Sequence, residues 1–223
     1  MQILFLSNNQ LCNLPSEIGN LINLKYLNLN YNKLGDLPAE IGNLHNLQSL
    51  SLETNKLSKL PVEIGNLRNL QKLDLFNIQL LSLPAEIGNL INLINLNLSN
   101  NELQTLPAEI GNLINLENLD LLNNKLQTLP AEIGNLLNLK CFNLLKNKLN
   151  SLPKYILKIK YILIINETSY ILNNLDLYNE ILIFSKLTTK LNNLPMNTKE
   201  IWIKTGIQNS NIKLPFDCVI KYY

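Results

Sequence analysis

Leu37-Pro38-Ala39-Glu40-Ile41-Gly42-Asn43-Leu44 decides the fold, because the same eight residues stand again at 83–90, 106–113 and 129–136. The proline recurs at Pro15, Pro38, Pro61, Pro84, Pro107, Pro130 and Pro153, each 23 residues after the last. A fixed period of this length marks a solenoid, in which each unit buries its apolar face only against its neighbours. It points toward binding through a surface and away from chemistry in a cleft.

Working outward from that phrase, one full period reads Leu24-x-x-Leu27-x-Leu29-x-x-Asn32-x-Leu34-x-x-Leu37-Pro38-x-x-Ile41-Gly42-x-Leu44-x-x-Leu47. Leu27-x-Leu29 alternates with period two, as a short strand with one buried face does. Ile41, Leu44 and Leu47 are spaced by three, which puts them on one stripe of a helical or 3₁₀ turn. Each unit is therefore a strand, a turn and a short helical return. Proline is expected in the first turn of that return, where its missing N–H costs nothing, and the following Glu suits the positive helix end.

The consensus LxxLxLxxNxLxxLPxxIxxLxx resembles the leucine-rich repeat, in the 23-residue subclass of the Ras-group adaptors. The resemblance covers residues 1 to about 165. It implies an α/β fold: a horseshoe-shaped leucine-rich-repeat solenoid with a concave parallel β-sheet and short helical or 3₁₀ segments on the convex side. The expected organisation is seven regular repeats and a degenerate eighth over 1–165, then a divergent C-terminal capping extension over 166–223. In that extension Leu191-x-x-Leu194-Pro195 echoes the repeat, and apolar clusters stand at Ile181–Phe184 and Ile201–Ile203.

An asparagine column, Asn9, Asn32, Asn55, Asn101, Asn124 and Asn147, falls where each strand turns away. One amide both donates and accepts, so a stacked column can satisfy the backbone of its own and the adjoining repeat. Repeat four departs from this, with Ile78 in the column and Asn77 one place earlier. Either Asn77 reaches in through a bulge, or the turn loses a partner at about 1–3 kcal/mol.

Composition narrows function by exclusion. A net charge of +2 on 223 residues does not mark a nucleic-acid binder. Cys12, Cys141 and Cys218 are scattered and odd in number, without the paired cysteine clusters that close extracellular proteins of the resembled family. Met1 already occupies a repeat position, so no leader is expected, and the run Tyr161–Ile165 is too short to span a bilayer. His45 is the only histidine, no Cys–His spacing suits a metal or a nucleophile, and the glycines are repeat positions rather than a phosphate loop. The expectation is a non-catalytic cytoplasmic protein without cofactor or metal.

Binding residues are sought on the outward strand positions. One column there reads Phe5, Asn28, Ser51, Asp74, Asn97, Asp120, Asn143, and the next reads Ser7, Asn30, Glu53, Phe76, Ser99, Leu122, Leu145. A third reads Asn8, Tyr31, Thr54, Asn77, Asn100, Asn123, Lys146. Phe76, Leu122 and Leu145, beside Asp74 and Asp120, are the expected partner-binding residues, as apolar anchors rimmed by carboxylates. The Ras-group resemblance implies a protein partner such as a small GTPase, and a signalling-adaptor role. Two alternatives stay open: a structural element self-associating through its open N-terminal strand edge, with Leu4 and Leu6, or a truncated product without retained function. The acid-free run Lys140, Lys146, Lys148, Lys154, Lys158, Lys160 reads as a solvated edge, and the stacked Glu17, Glu40, Glu63, Glu86, Glu109 and Glu132 as helix-end charges.

Overall fold

The computed structural model describes residues 1–149 in full, and the backbone strands at 162–165, 181–184, 200–203 and 219–222. Seven three-residue strands are β1 (Ile3–Phe5), β2 (Tyr26–Asn28), β3 (Ser49–Ser51), β4 (Lys72–Asp74), β5 (Asn95–Asn97), β6 (Asn118–Asp120) and β7 (Cys141–Asn143). Then follow β8 (Ile162–Ile165), β9 (Ile181–Phe184), β10 (Glu200–Ile203) and β11 (Val219–Tyr222). All are parallel in one sheet, in chain order. Between the first seven run six 3₁₀ turns, from Ser16–Asn20 to Ala131–Asn135.

The strand offset is 23 residues from Ile3↔Tyr26 through Asn118↔Cys141. It contracts to 21 at Cys141↔Ile162, and to 19 at Ile162↔Ile181, Ile181↔Glu200 and Glu200↔Val219. The apolar clusters at 181–184 and 201–203 lie in strands of this same sheet. The expected capping role of 166–223, the Leu191–Pro195 echo, Pro153, Lys154, Lys158 and Lys160 otherwise lie outside the described residues. No helix of the described residues is long and apolar enough to cross a membrane.

Packing explains why the phrase is repeated so strictly. Ile41, Leu44, Leu47, Leu50, Leu52 and Leu57 are fully buried, and their equivalents form one continuous core down the stack. Each such side chain contributes roughly 1.5–3 kcal/mol before chain entropy is subtracted. Proline stands one residue earlier than expected. Pro38 is extended, with φ −67° and ψ 149°, and its carbonyl accepts the Ile41 N–H at 3.0 Å, which starts the turn. The glycine is a matter of contact. A Cβ on Gly88 would lie 2.5 Å from the Glu109 carbonyl oxygen, and the same clash recurs at Gly19, Gly42, Gly65 and Gly111.

The asparagine column works as a ladder. Asn124 donates through Nδ2 to the carbonyls of Leu98 (2.9 Å) and Leu121 (3.1 Å), and its Oδ1 accepts the Leu103 N–H (3.1 Å). A second ladder on the convex side was not foreseen. Asn46, Asn69, Asn92, Asn115 and Asn138 each donate to the carbonyl 24 residues earlier, at 2.7–2.9 Å.

Repeat four breaks the first ladder. Asn77 does not reach in; at φ 54° it fills the left-handed position held elsewhere by Asn100 and Asn123. Ile78 is buried, and Gln79 is also turned to positive φ, 69°. Asn101 Oδ1 answers by accepting both Ile78 N–H (3.1 Å) and Leu80 N–H (3.0 Å). The loss falls on the repeat before. Leu34 gives its N–H to Asn55 Oδ1 and receives the Lys56 N–H on its carbonyl, whereas among the described residues buried Leu57 has neither bond.

Candidate functional site

The outward strand positions build the concave face. Because β2 reads Tyr-Leu-Asn with only Leu27 buried, both of its flanking residues face outward; the same holds in β3 to β7, and in β1 around the half-buried Leu4. Sequence reasoning took only the position after the buried leucine and beyond. It missed the column before it: Ile3, Tyr26, Ser49, Lys72, Asn95, Asn118, Cys141. Period two would have revealed it, since both neighbours of a buried strand residue share one face.

The five expected residues fall into two adjacent columns at the end of the strands. Asp74 Oδ1 accepts the Phe76 N–H (3.2 Å) and Asp120 Oδ1 accepts the Leu122 N–H (2.9 Å). Phe76, Leu122 and Leu145 are half-buried rather than exposed, and Ser99, between the first two, is buried. Asn28, Asn97 and Asn143 accept the N–H two residues on in the same way, at 3.0–3.1 Å. The two aspartates thus share a turn-forming task with neutral asparagines. Burial raises the pKa of both above the ordinary carboxylate value; at Asp74 the neighbouring Glu53 adds to this, while Lys72 and the Phe76 N–H oppose it. Burial also raises the thiol of Cys141, with Asp120 adding to the effect.

On the concave face the larger exposed apolar side chains lie toward the other end. Ile3, Phe5, Tyr26 and Tyr31 are 43–69% exposed. Ile3, Phe5 and Tyr26 line a hollow of about 250 Å³ together with Leu27, Asn28, Ser49 and Ser51. It exists because repeat three carries serine at both outward strand positions. Next to it Glu53 is fixed by two neutral donors, Tyr31 Oη at 2.6 Å and Asn30 Nδ2 at 3.3 Å. The Tyr31 hydroxyl pKa is raised by that bond.

Of the acid-free lysine run, Lys140 pairs with Glu117 of the preceding repeat at 2.8 Å. The convex glutamates stand in the first 3₁₀ turn without a side-chain capping bond. Among the described residues no three His, Cys, Asp or Glu side chains come together as a metal site would need.

A family model described as leucine-rich repeat region matches residues 1–98 and 49–122, and one described as Leucine Rich Repeat matches 115–136. Among solved structures, a leucine-rich repeat protein of Leptospira interrogans is similar over all of this chain, with 34% identity and TM-score 0.66. The ectodomain of the receptor kinase GASSHO1/SCHENGEN3 from Arabidopsis thaliana, in complex with Casparian strip integrity factor 2, also matches over all of it, at 26% identity and TM-score 0.69. A plant peptide hormone receptor, RGFR1 in complex with RGF2, matches over 98%, at 28% identity and TM-score 0.60. This chain spans 65%, 30% and 44% of those three, less than two thirds of each. A search of curated proteins returns no match.

Proposed function

The chain belongs to the leucine-rich repeat family, and on that premise we propose that it is a non-catalytic module binding a protein or peptide partner across its concave sheet. One observation carries this reading: the outward strand positions of that sheet change from repeat to repeat, while the convex phrase barely changes. Four of the convex turns repeat Ala-Glu-Ile-Gly-Asn, so a partner on that phrase would meet the same side chains at each step, with variation confined to neighbours such as His45, Arg68 and Ile91. The concave columns change from Tyr to Ser, Lys and Asn between successive strands. Support comes from the two plant receptor structures, whose names place a factor or hormone in complex with the same kind of solenoid. Within this reading Phe76 and Leu122, with Leu145, Asp74 and Asp120, form one contact region, and the Ras-group likeness favours a cytoplasmic signalling protein such as a small GTPase as the partner.

The test is positional. A photo-reactive residue placed at Asn97 on the concave face should cross-link a captured partner, and one at Glu109 on the convex face should not. Cross-links that come mainly from position 109 would overturn the concave assignment. Within that face, Phe76→Ser with Leu122→Ser should abolish capture while leaving the circular dichroism unchanged.

A further inference from the structure

The concave face of repeats one to four carries charge that the fold does not need. Asp74 performs a turn contact that Asn28, Asn97 and Asn143 perform without charge, yet it is half-buried and its charged form is disfavoured there. Glu53, one repeat before, is held in place by the Tyr31 hydroxyl and the Asn30 amide, both neutral, so its charge is oriented but not compensated. The charge of Glu53 adds to the pressure on Asp74. Lys72, on the same strand as Asp74, offsets part of this without forming an ion pair. The ion pairs among the described residues are Lys125–Glu102 and Lys140–Glu117, in other repeats.

Beside these carboxylates lies the hollow lined by Phe5, Tyr26, Ser49 and Ser51. Adjacent strands are about 4.8 Å apart, so one to two strands separate the hollow from the Glu53–Asp74 pair, roughly 5–10 Å. An extended chain covers that distance in two or three residues.

We propose that the concave face of repeats one to four docks an extended basic segment of the partner, with an apolar side chain in the hollow and a Lys or Arg two or three residues away at Glu53 and Asp74. This rests on the concave-face reading and names the chemistry of what binds there. Charge complementarity selects the occupant, because two oriented carboxylates favour a cation and repel an acidic segment. Exposed Tyr26 and Tyr31 add ring faces on which a guanidinium or ammonium can rest.

The experiment uses the whole chain and a set of fluorescent nine-residue peptides of Ser and Thr carrying one Leu. One series places Arg two or three residues from the Leu, a second Glu, a third Gln; anisotropy reads binding. The Arg series should bind about tenfold more tightly than the Gln series, and the Glu series not at all. Glu53→Gln with Asp74→Asn, which keeps the turn contact, should remove the Arg preference, and Glu53→Lys with Asp74→Lys should transfer it to the Glu series. Ser51→Trp, which fills the hollow, should abolish binding of every series. Equal binding of the three series, an Arg preference that survives the neutral pair, or binding by none overturns the proposal. Peptides that ignore charge but are lost with Ser51→Trp would leave the concave-face reading standing, whereas binding indifferent to Ser51→Trp as well would remove both.

Discussion

The two faces of this solenoid obey different rules. On the convex side each repeat packs closely against the next copy of itself. Gly88 meets Glu109, Asn115 reaches Ile91, and Ile87 is buried between turns, so repetition is a packing requirement. On the concave side a strand needs only its central leucine buried, and the flanking positions are free to vary. Uniformity reports stability, and variation marks where a partner can be told apart.

Substitutions at the packed positions should therefore cost far more than substitutions on the open sheet. Asn124→Leu is expected to do the most damage, because Leu98, Leu121 and Leu103 each lose a buried partner. The Leu103 N–H is orphaned at about 1–3 kcal/mol, while the Leu98 and Leu121 carbonyls keep Asn101 and Asn147 and lose one bond each at roughly 1 kcal/mol, so the total is on the order of 4 kcal/mol in a denaturant titration. Gly88→Ala comes next, since its Cβ would press on backbone rather than on a yielding side-chain tip; overpacking of this kind costs about 2–3 kcal/mol. A small effect from either would mean that the repeats are looser than their contacts imply.

Repeat four offers the reverse experiment. Ile78→Asn should restore an acceptor for the Leu57 N–H and raise the unfolding midpoint by the equivalent of about 1 kcal/mol. Hydrogen exchange at Leu57 reads the same event locally and should slow in the variant. If stability falls instead, the burial of Ile78 outweighs the missing bond.

The fold was legible because its signals repeat. A leucine every few residues and a proline at a fixed interval give the strand, the turn and their order without any tertiary information. What stayed hidden depended on contacts between copies. The convex ladder of Asn46 to Asn138 could not be read in advance, since neither the acceptor carbonyl 24 residues back nor its direction is visible in one repeat. The proline proved to stand before the turn rather than inside it, a one-residue distinction that periodicity does not resolve. Of the site, sequence placed Phe76, Leu122, Leu145, Asp74 and Asp120 on one face, but not their half-burial, nor the hollow that Ser49 and Ser51 open beside Tyr26. Small side chains reveal a cavity only once their neighbours are known.

The smallest expected effect separates charge from structure within the concave face itself. Asp120 and Asn97 occupy the same column, and each accepts the N–H two residues on. Asp120→Asn keeps that contact and removes a half-buried charge, so it should stabilise the protein at neutral pH. The direction follows from proton binding. Burial raises the Asp120 pKa above its ordinary value of 3.8, so the folded state holds the proton more tightly than the unfolded one. Stability therefore falls as pH rises from 3.8 through the raised folded value, and the loss is complete above it. The asparagine variant is free of that loss. Its advantage should be a fraction of a kcal/mol at pH 7, kept small by solvent screening of a half-exposed group, and should vanish below the ordinary carboxylate pKa. Paired urea titrations across that range measure the difference directly. An advantage that persists unchanged in acid would show that the asparagine packs better, and that charge has nothing to do with it.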